Sequence, residues 1–166
     1  IESAFNEDKN RRDYGRKLYI LKNCIYGVDI QPIAIEISKL RFFISLIVDQ
    51  KANNARKDNF GIIPLPNLEN NFVAANTLIA LDKPKEATFG DHLLKEKEKE
   101  LKDIRQQHFD ARTYKDKQAL RKKDKAKREE IAALLKQFGF PAKTASLVAA
   151  WNPYDRLKSS EWFDPE

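Results

Sequence analysis

At 166 residues the chain is near the usual size of one domain but reads as a piece cut from something longer, and its single cysteine, Cys24, excludes an intrachain disulfide. No run approaches the roughly 18 apolar residues a membrane span needs and no signal sequence opens the chain, so a soluble cytoplasmic protein with Cys24 in its core is expected. The net charge is +6, and residues 92–138 hold 15 Lys and Arg against 9 Asp and Glu while the remainder holds 16 of each, so the positive excess belongs to one segment.

In chain order, Arg11 to Asn23 reads as a helix with Tyr14, Leu18 and Leu21 on one face. Ile25 to Ile30 is short, apolar and partly β-branched, a strand in which Gly27 signals close backbone approach by a neighbour. Gln31 and Pro32 open a second helix, because the first turn does not use the amide hydrogen that proline lacks. In that helix Ile33, Ile37, Leu40, Ile44 and Ile47 recur at four and three residues, and Ile35, Phe42, Phe43 and Leu46 widen the apolar arc. Burial on more than one side is expected. A polar loop, Gln50 to Phe60, and the extended "IIPLPNLENN" lead to a second strand, Phe72 to Ala75. The order predicts a β-α-β unit of a parallel sheet with a right-handed crossover.

From Asp91 the pattern changes. "DHLLKEKEKELKDIRQQHF" places Leu94, Leu101 and His108 at heptad spacing, with Ile104 offset, among alternating Glu and Lys. The next helix opens with a capping-box pattern at Thr113 and Asp116 and closes at Gly139, two residues before Pro141. The apolar seam is half filled, so the two helices predict an antiparallel hairpin that leans on another surface. Ala142 to Glu166 closes the chain with "SLVAAW", "NPYD" and "EWFDPE", and "ASLVAAW" could be a strand leading into "NPYD".

Ligands of open parallel sheets bind outside the carboxyl ends of the strands, where Asp29 and Asn76 both fall. A carboxylate at Asp29 could accept hydrogen bonds from two ribose hydroxyls, with Ile30 flanking an adenine ring; equally, it could cap the following helix. The amide of Asn76 could reach the adenine edge of a nucleoside cofactor, or it could belong to an ordinary turn. A nicotinamide-dependent oxidoreductase would place its ribose acid similarly, but no G-x-G-x-x-G occurs.

"IYGVDIQPIAIEISKLRFFISLIVD" followed by "PLPNLENNFVAANTLI" resembles the body of bacterial adenine-specific DNA methyltransferases, above all those of bifunctional Type IIG restriction-modification enzymes and related phage-defence methylases. The likeness runs from about Asn6 to Leu81. It implies a partial Rossmann-like α/β methyltransferase core over residues 1–90, with an antiparallel helical hairpin inserted at 91–140 and a segment at 141–166 leading toward the catalytic motif. It makes Asp29, Ile30, Asn76 and Thr77 the ribose and adenine side of an S-adenosylmethionine site. Ala75 stands where the family has glycine, a departure that bears on the backbone geometry there. The family's glycine-rich motif would precede Ile1 and its catalytic motif would follow Glu166, so a central fragment, inactive alone, is expected. Exposed sheet edges of such a fragment leave its self-association an open question for the sequence.

The catalytic motif of the family is an asparagine, two prolines and an aromatic residue that stacks on a flipped adenine. "WNPYD" has one proline too few, which makes Asn152, Pro153 and Tyr154 a look-alike. From Arg112 to Arg128 nine Lys or Arg accompany only Asp116 and Asp124. Arg121, Lys122, Lys123, Lys125, Lys127 and Arg128 are therefore candidates for phosphate contact with double-stranded DNA, against the plainer reading of a solvated helix with intrahelical ion pairs. A non-enzymatic nucleic-acid or partner-binding module acting through this hairpin is the alternative function. No metal-ligand set is expected.

Overall fold

The structure, a computed structural model, describes residues 9–82 and 91–163. The start of the family likeness at Asn6, the boundary between residues 90 and 91 and the end of "EWFDPE" fall at or beyond these limits. Helix α1 (Lys9–Asn23) leads into strand β1 (Gly27–Asp29), helix α2 (Pro32–Ile47), a 3-10 turn (Arg56–Gly61) and strand β2 (Phe72–Ala74). Helices α3 (Asp91–Asp110), α4 (Tyr114–Gln137) and α5 (Ala142–Ala150) complete the order.

The two strands pair in parallel, with Gly27, Val28 and Asp29 opposite Phe72, Val73 and Ala74. A β-carbon on Gly27 would lie 2.6 Å from Cδ1 of Phe72, so glycine is required by the close approach of that ring. Phe72 in turn stacks against Phe42 of α2 at 4.9 Å between ring centroids. Around this contact Tyr14, Leu21, Ile35, Leu46, Leu68 and Phe109 complete a buried cluster. Its members come from α1, α2, the approach to β2 and the end of α3, so the hairpin shares the core of the β-α-β unit.

The helix faces are not all those expected. On α2 the repeat of Ile33, Ile37, Leu40, Ile44 and Ile47 is exposed, and Ile35, Lys39 and Leu46 are the buried residues. The ring of Phe72 selects the face that carries the aromatic residues, and the aliphatic stripe turns outward. Lys39 reaches Glu36 at 3.0 Å from its buried stem. Cys24 is also exposed, contrary to its expected place in the core, because it sits in the turn that ends α1.

Helices α3 and α4 form the expected hairpin. Thr113 accepts a hydrogen bond from the amide of Asp116 at 3.1 Å and donates its hydroxyl to that carboxylate at 2.6 Å. At the other end Gly139 takes a φ of 80°, and the Phe138 amide donates to the carbonyl of Leu134. Leu101, Ile131, Ala132, Leu135 and Ala145 make a second core where α5 folds back on the pair. Asn67 ties the hairpin to the sheet approach, its side-chain amide donating to the carbonyls of His108 and Ala111 at 2.7 Å each. Asn71 ties the sheet approach to α1 through the carbonyl of Leu21 at 3.0 Å. Among the described residues no helix is long and apolar enough to cross a membrane.

Candidate cofactor wall and basic hairpin

Asp29 is placed by the last ladder position of β1 and stands exposed. Its Oδ1 accepts from the amide of Gln31 at 2.7 Å, which fixes the carboxylate at the entry to α2. This is a turn contact and not a cap, since the N-cap of α2 is Gln31 and no side chain caps the helix. Among the described residues Oδ2 takes no hydrogen bond, so the carboxylate keeps acceptor capacity for a ligand. Beside it an open cleft of about 710 Å³ is walled by Ile30, Pro32, Ile33 and Leu157, with Gln31, Glu36 and Arg156 at its polar side. Asp29 and Asn76 border this cleft by sequence and pairing and are not among its lining residues.

Asn76 lies at the neighbouring strand end. The Ala75 amide donates to the Asp29 carbonyl at 2.9 Å, so one peptide links the two positions. The backbone of Ala75 avoids positive φ, so alanine fits without strain where the resembling family has glycine. Asn76 accepts at Oδ1 from the Leu78 amide at 3.0 Å, a turn contact, and its side-chain amine has no hydrogen bond among the described residues. Thr77 is exposed. On the outer side of β2, Ser160 donates to the Ala74 carbonyl at 2.8 Å and accepts from the Asn76 amide at 3.0 Å. The segment after α5 therefore borders the same strand end.

The look-alike motif is used differently. Asn152 turns its side-chain oxygen back onto the Tyr154 amide at 3.2 Å, and Pro153 is buried. Tyr154 packs on His108 at 4.9 Å, with the Arg121 guanidinium 4.9 Å from its ring. Burial, and then the charge of Asp124, push its phenol far above the ordinary range. The ring is a buttress of the hairpin in this arrangement.

The basic run divides by direction. Arg128 is buried: its Nε donates to Asp124 at 2.7 Å, and one terminal nitrogen donates to the carbonyls of Ala149 and Trp151. Asp124, fully buried, also accepts from Arg105 at 3.0 Å. Arg121 reaches Glu69 at 3.4 Å and donates to Nε2 of His108. Lys127 bridges Glu100 and Glu130 at 2.6 Å each, and these contacts lower Glu100 and raise Lys127 from their ordinary values. Three of the six phosphate candidates, Arg121, Lys127 and Arg128, are thus engaged within the fold. Lys122, Lys123 and Lys125 point to solvent, the last with a loose pair to Glu129 at 3.9 Å. The buried Glu69, His108 and Asp124, with the half-buried Arg105 and Tyr154 packed on them, are missed by reading charge along the chain. Their one signal is the seam at three and four residues that runs through Arg121, Asp124, Arg128, Ile131 and Leu135.

A family profile described as Eco57I restriction-modification methylase matches residues 23–146. A protein of Methanocaldococcus jannaschii, provisionally named a type II restriction enzyme and methyltransferase, is 41% identical over 66 residues. That match takes in 40% of this chain and 5% of the relative, so the chain matches only a small part of that relative's length. No solved structure matches to a comparable standard.

Proposed function

The chain belongs to the Eco57I restriction-modification methylase family, and from that premise we propose that it supplies the ribose and adenine wall of an S-adenosylmethionine site in a DNA adenine methyltransferase of Type IIG. Asp29 holds the ribose hydroxyls, Ile30 flanks the adenine, and Asn76 with Thr77 meets its polar edge. Methyl transfer goes to the exocyclic amine of an adenine flipped from double-stranded DNA. The observation that supports this most directly is the joining of Asp29 and Asn76 at adjacent carboxyl ends of parallel strands, beside the Ile30 cleft.

The cofactor would contribute an electrophilic methyl group; the residues of this chain bind and orient its nucleoside. No asparagine followed by two prolines and an aromatic residue occurs in the 166 residues, so the chain by itself is expected to transfer no methyl group. Replacing Asp29 by Ala and measuring S-adenosylmethionine binding by calorimetry tests the wall. Affinity should fall about tenfold or more, the effect of losing hydrogen bonds to a charged group. Undiminished affinity would sink the assignment.

A second reading, DNA backbone contact by the hairpin, is supported by the outward direction of Lys122, Lys123 and Lys125.

A further inference from the structure

Helix α5 ends at Ala150, and the carbonyls of its last turn lack partners within the helix. Arg128, more than twenty residues earlier in the chain, donates to two carbonyls at that end, those of Ala149 and Trp151. A cation suits the negative end of a helix dipole. The guanidinium is itself held: Asp124 accepts from Arg128 at 2.7 Å and from Arg105 at 3.0 Å, and Arg105 covers the Trp151 ring at 4.7 Å. A fixed group on the hairpin therefore grips the point where the chain leaves α5.

Beyond α5 the chain has little regular structure. From Trp151 to Phe163 the ladder contact among the described residues is the bridge of Ser160 to Ala75, reinforced by the Asn76 amide on the Ser160 carbonyl at 3.0 Å and by the Phe163 amide on the Ile79 carbonyl at 2.9 Å. Between these two ends a cavity of about 290 Å³ opens, lined by Val73, Trp151, Asn152, Ser160 and Trp162 among others. The segment is not packed flat on the strand along its length. Its position at β2 is set by its anchors.

We infer that Arg128, held by Asp124 and Arg105, is a positioning residue that fixes the end of α5 and, through residues 151–163, the placement of Asn76. The hairpin acts as a clamp on the second strand end. Its consequence for cofactor rests on the reading of Asn76 as part of the nucleoside wall.

Hydrogen exchange on the full 166-residue chain tests the clamp, with Arg128→Lys keeping the charge but losing the planar fork that serves three acceptors. Exchange at the amides of Asn76 and Ser160 is expected to accelerate about tenfold, while Gly27 and Cys24 stay within about twofold. Unchanged exchange at the first two, or equal acceleration at all four, overturns the proposal. Arg105→Gln leaves the Arg128–Asp124 pair in place and is the milder variant should Arg128→Lys not fold. It should accelerate the same two amides about threefold, and no local change there counts against the clamp. S-adenosylmethionine affinity of Arg128→Lys should fall about threefold or more. Local acceleration with unaltered affinity overturns the link to the cofactor wall. If Asp29→Ala leaves affinity unaltered, the cofactor reading fails by itself, and the exchange data still decide the clamp.

Discussion

The β-α-β unit and the helical hairpin both bury polar groups, but the first ties Asn67 and Asn71 to backbone carbonyls, whereas the second ties Asp124 and Arg128 to each other as opposite charges. In the first, the core is made of side chains such as Leu46, Leu68 and Phe72, and the groups of chemical interest, Asp29 and Thr77, stand exposed at strand ends. In the second, the segment with all the excess positive charge, Asp124 and His108 are both at 0% exposure. The difference arises from how each seam is filled. Phe42 and Phe72 pack the sheet against α2, whereas the hairpin seam has Leu101, Ile131, Ala132 and Leu135 at one end and continues through Asp124 and Arg128. Buried charges are tolerated there because each has an opposite charge and hydrogen bonds within reach.

The contrast is broken most severely at Asp124. Asp124→Ala leaves Arg105 and Arg128 without their shared carboxylate, and unfolding stability should fall by about 3–5 kcal/mol, as for other buried pairs that lose one partner. Denaturant titration measures it; a change below about 1 kcal/mol would show that the seam does not depend on this charge. The corresponding weak point of the β-α-β unit is steric. Gly27→Ala drives a methyl group into Phe72 and should cost about 1–3 kcal/mol, partly recovered when combined with Phe72→Leu. An equal cost in both backgrounds would locate the strain elsewhere.

The two regions were also legible in the sequence to different degrees. The β-α-β order, the two long helices and the Thr113 cap follow from local rules and are present, whereas residues 142–150 form helix α5 where the apolar run allowed a strand, and the neighbour that crowds Gly27 is the Phe72 ring and not backbone. The strands are shorter than the apolar runs that signalled them, because pairing stops at Asp29 while apolar residues continue to Ile30. Periodicity found the aliphatic stripe of α2 but not its direction: Ile33, Ile37, Leu40, Ile44 and Ile47 obey helical spacing equally well on either side. The position of Phe72 decides, and that is a tertiary fact. For the same reason a run of nine cations could not reveal that Arg128 faces inward. Of the candidate cofactor residues, adjacency of Asp29 and Asn76 was foreseeable from a parallel β-α-β unit, whereas the approach of Ser160 to the same strand end had no sequence signal.

A milder probe of the buried polar seam is pH. Burial, the largest influence, lowers His108 from its ordinary value of 6.5, and the Arg121 and Lys117 charges add to this while Glu69 and Asp124 oppose it. The Tyr154 ring also faces it. In the unfolded chain His108 takes up a proton at higher pH than in the folded one. Below about pH 6.5 the unfolded state therefore binds more protons. Its contribution to stability is complete above that pH and is lost as pH falls through 6.5 toward the depressed folded value. Replacing His108 by Gln should flatten the stability profile between about pH 7 and pH 5 relative to the parent chain. Parallel profiles would mean that the imidazole does not carry the effect.

The smallest effect on the fold is expected where the basic run faces outward. Lys122 and Lys123 flank the inward-facing Asp124 in sequence but lie on the solvent side of α4. Reversing both charges to Glu should change unfolding stability by less than about 0.5 kcal/mol, since neither holds a buried partner. Binding to duplex DNA should respond instead. Each lost phosphate contact removes about 0.9 from the slope of log affinity against log salt, so two contacts should lower its magnitude by about 2. Lys127→Glu is the internal comparison, because Lys127 ties α4 to Glu100 of α3. Its reversal should lower stability more than the Lys122 and Lys123 pair does. An unaltered salt slope in the double variant would remove DNA from the outward face and leave the hairpin with its inward role alone.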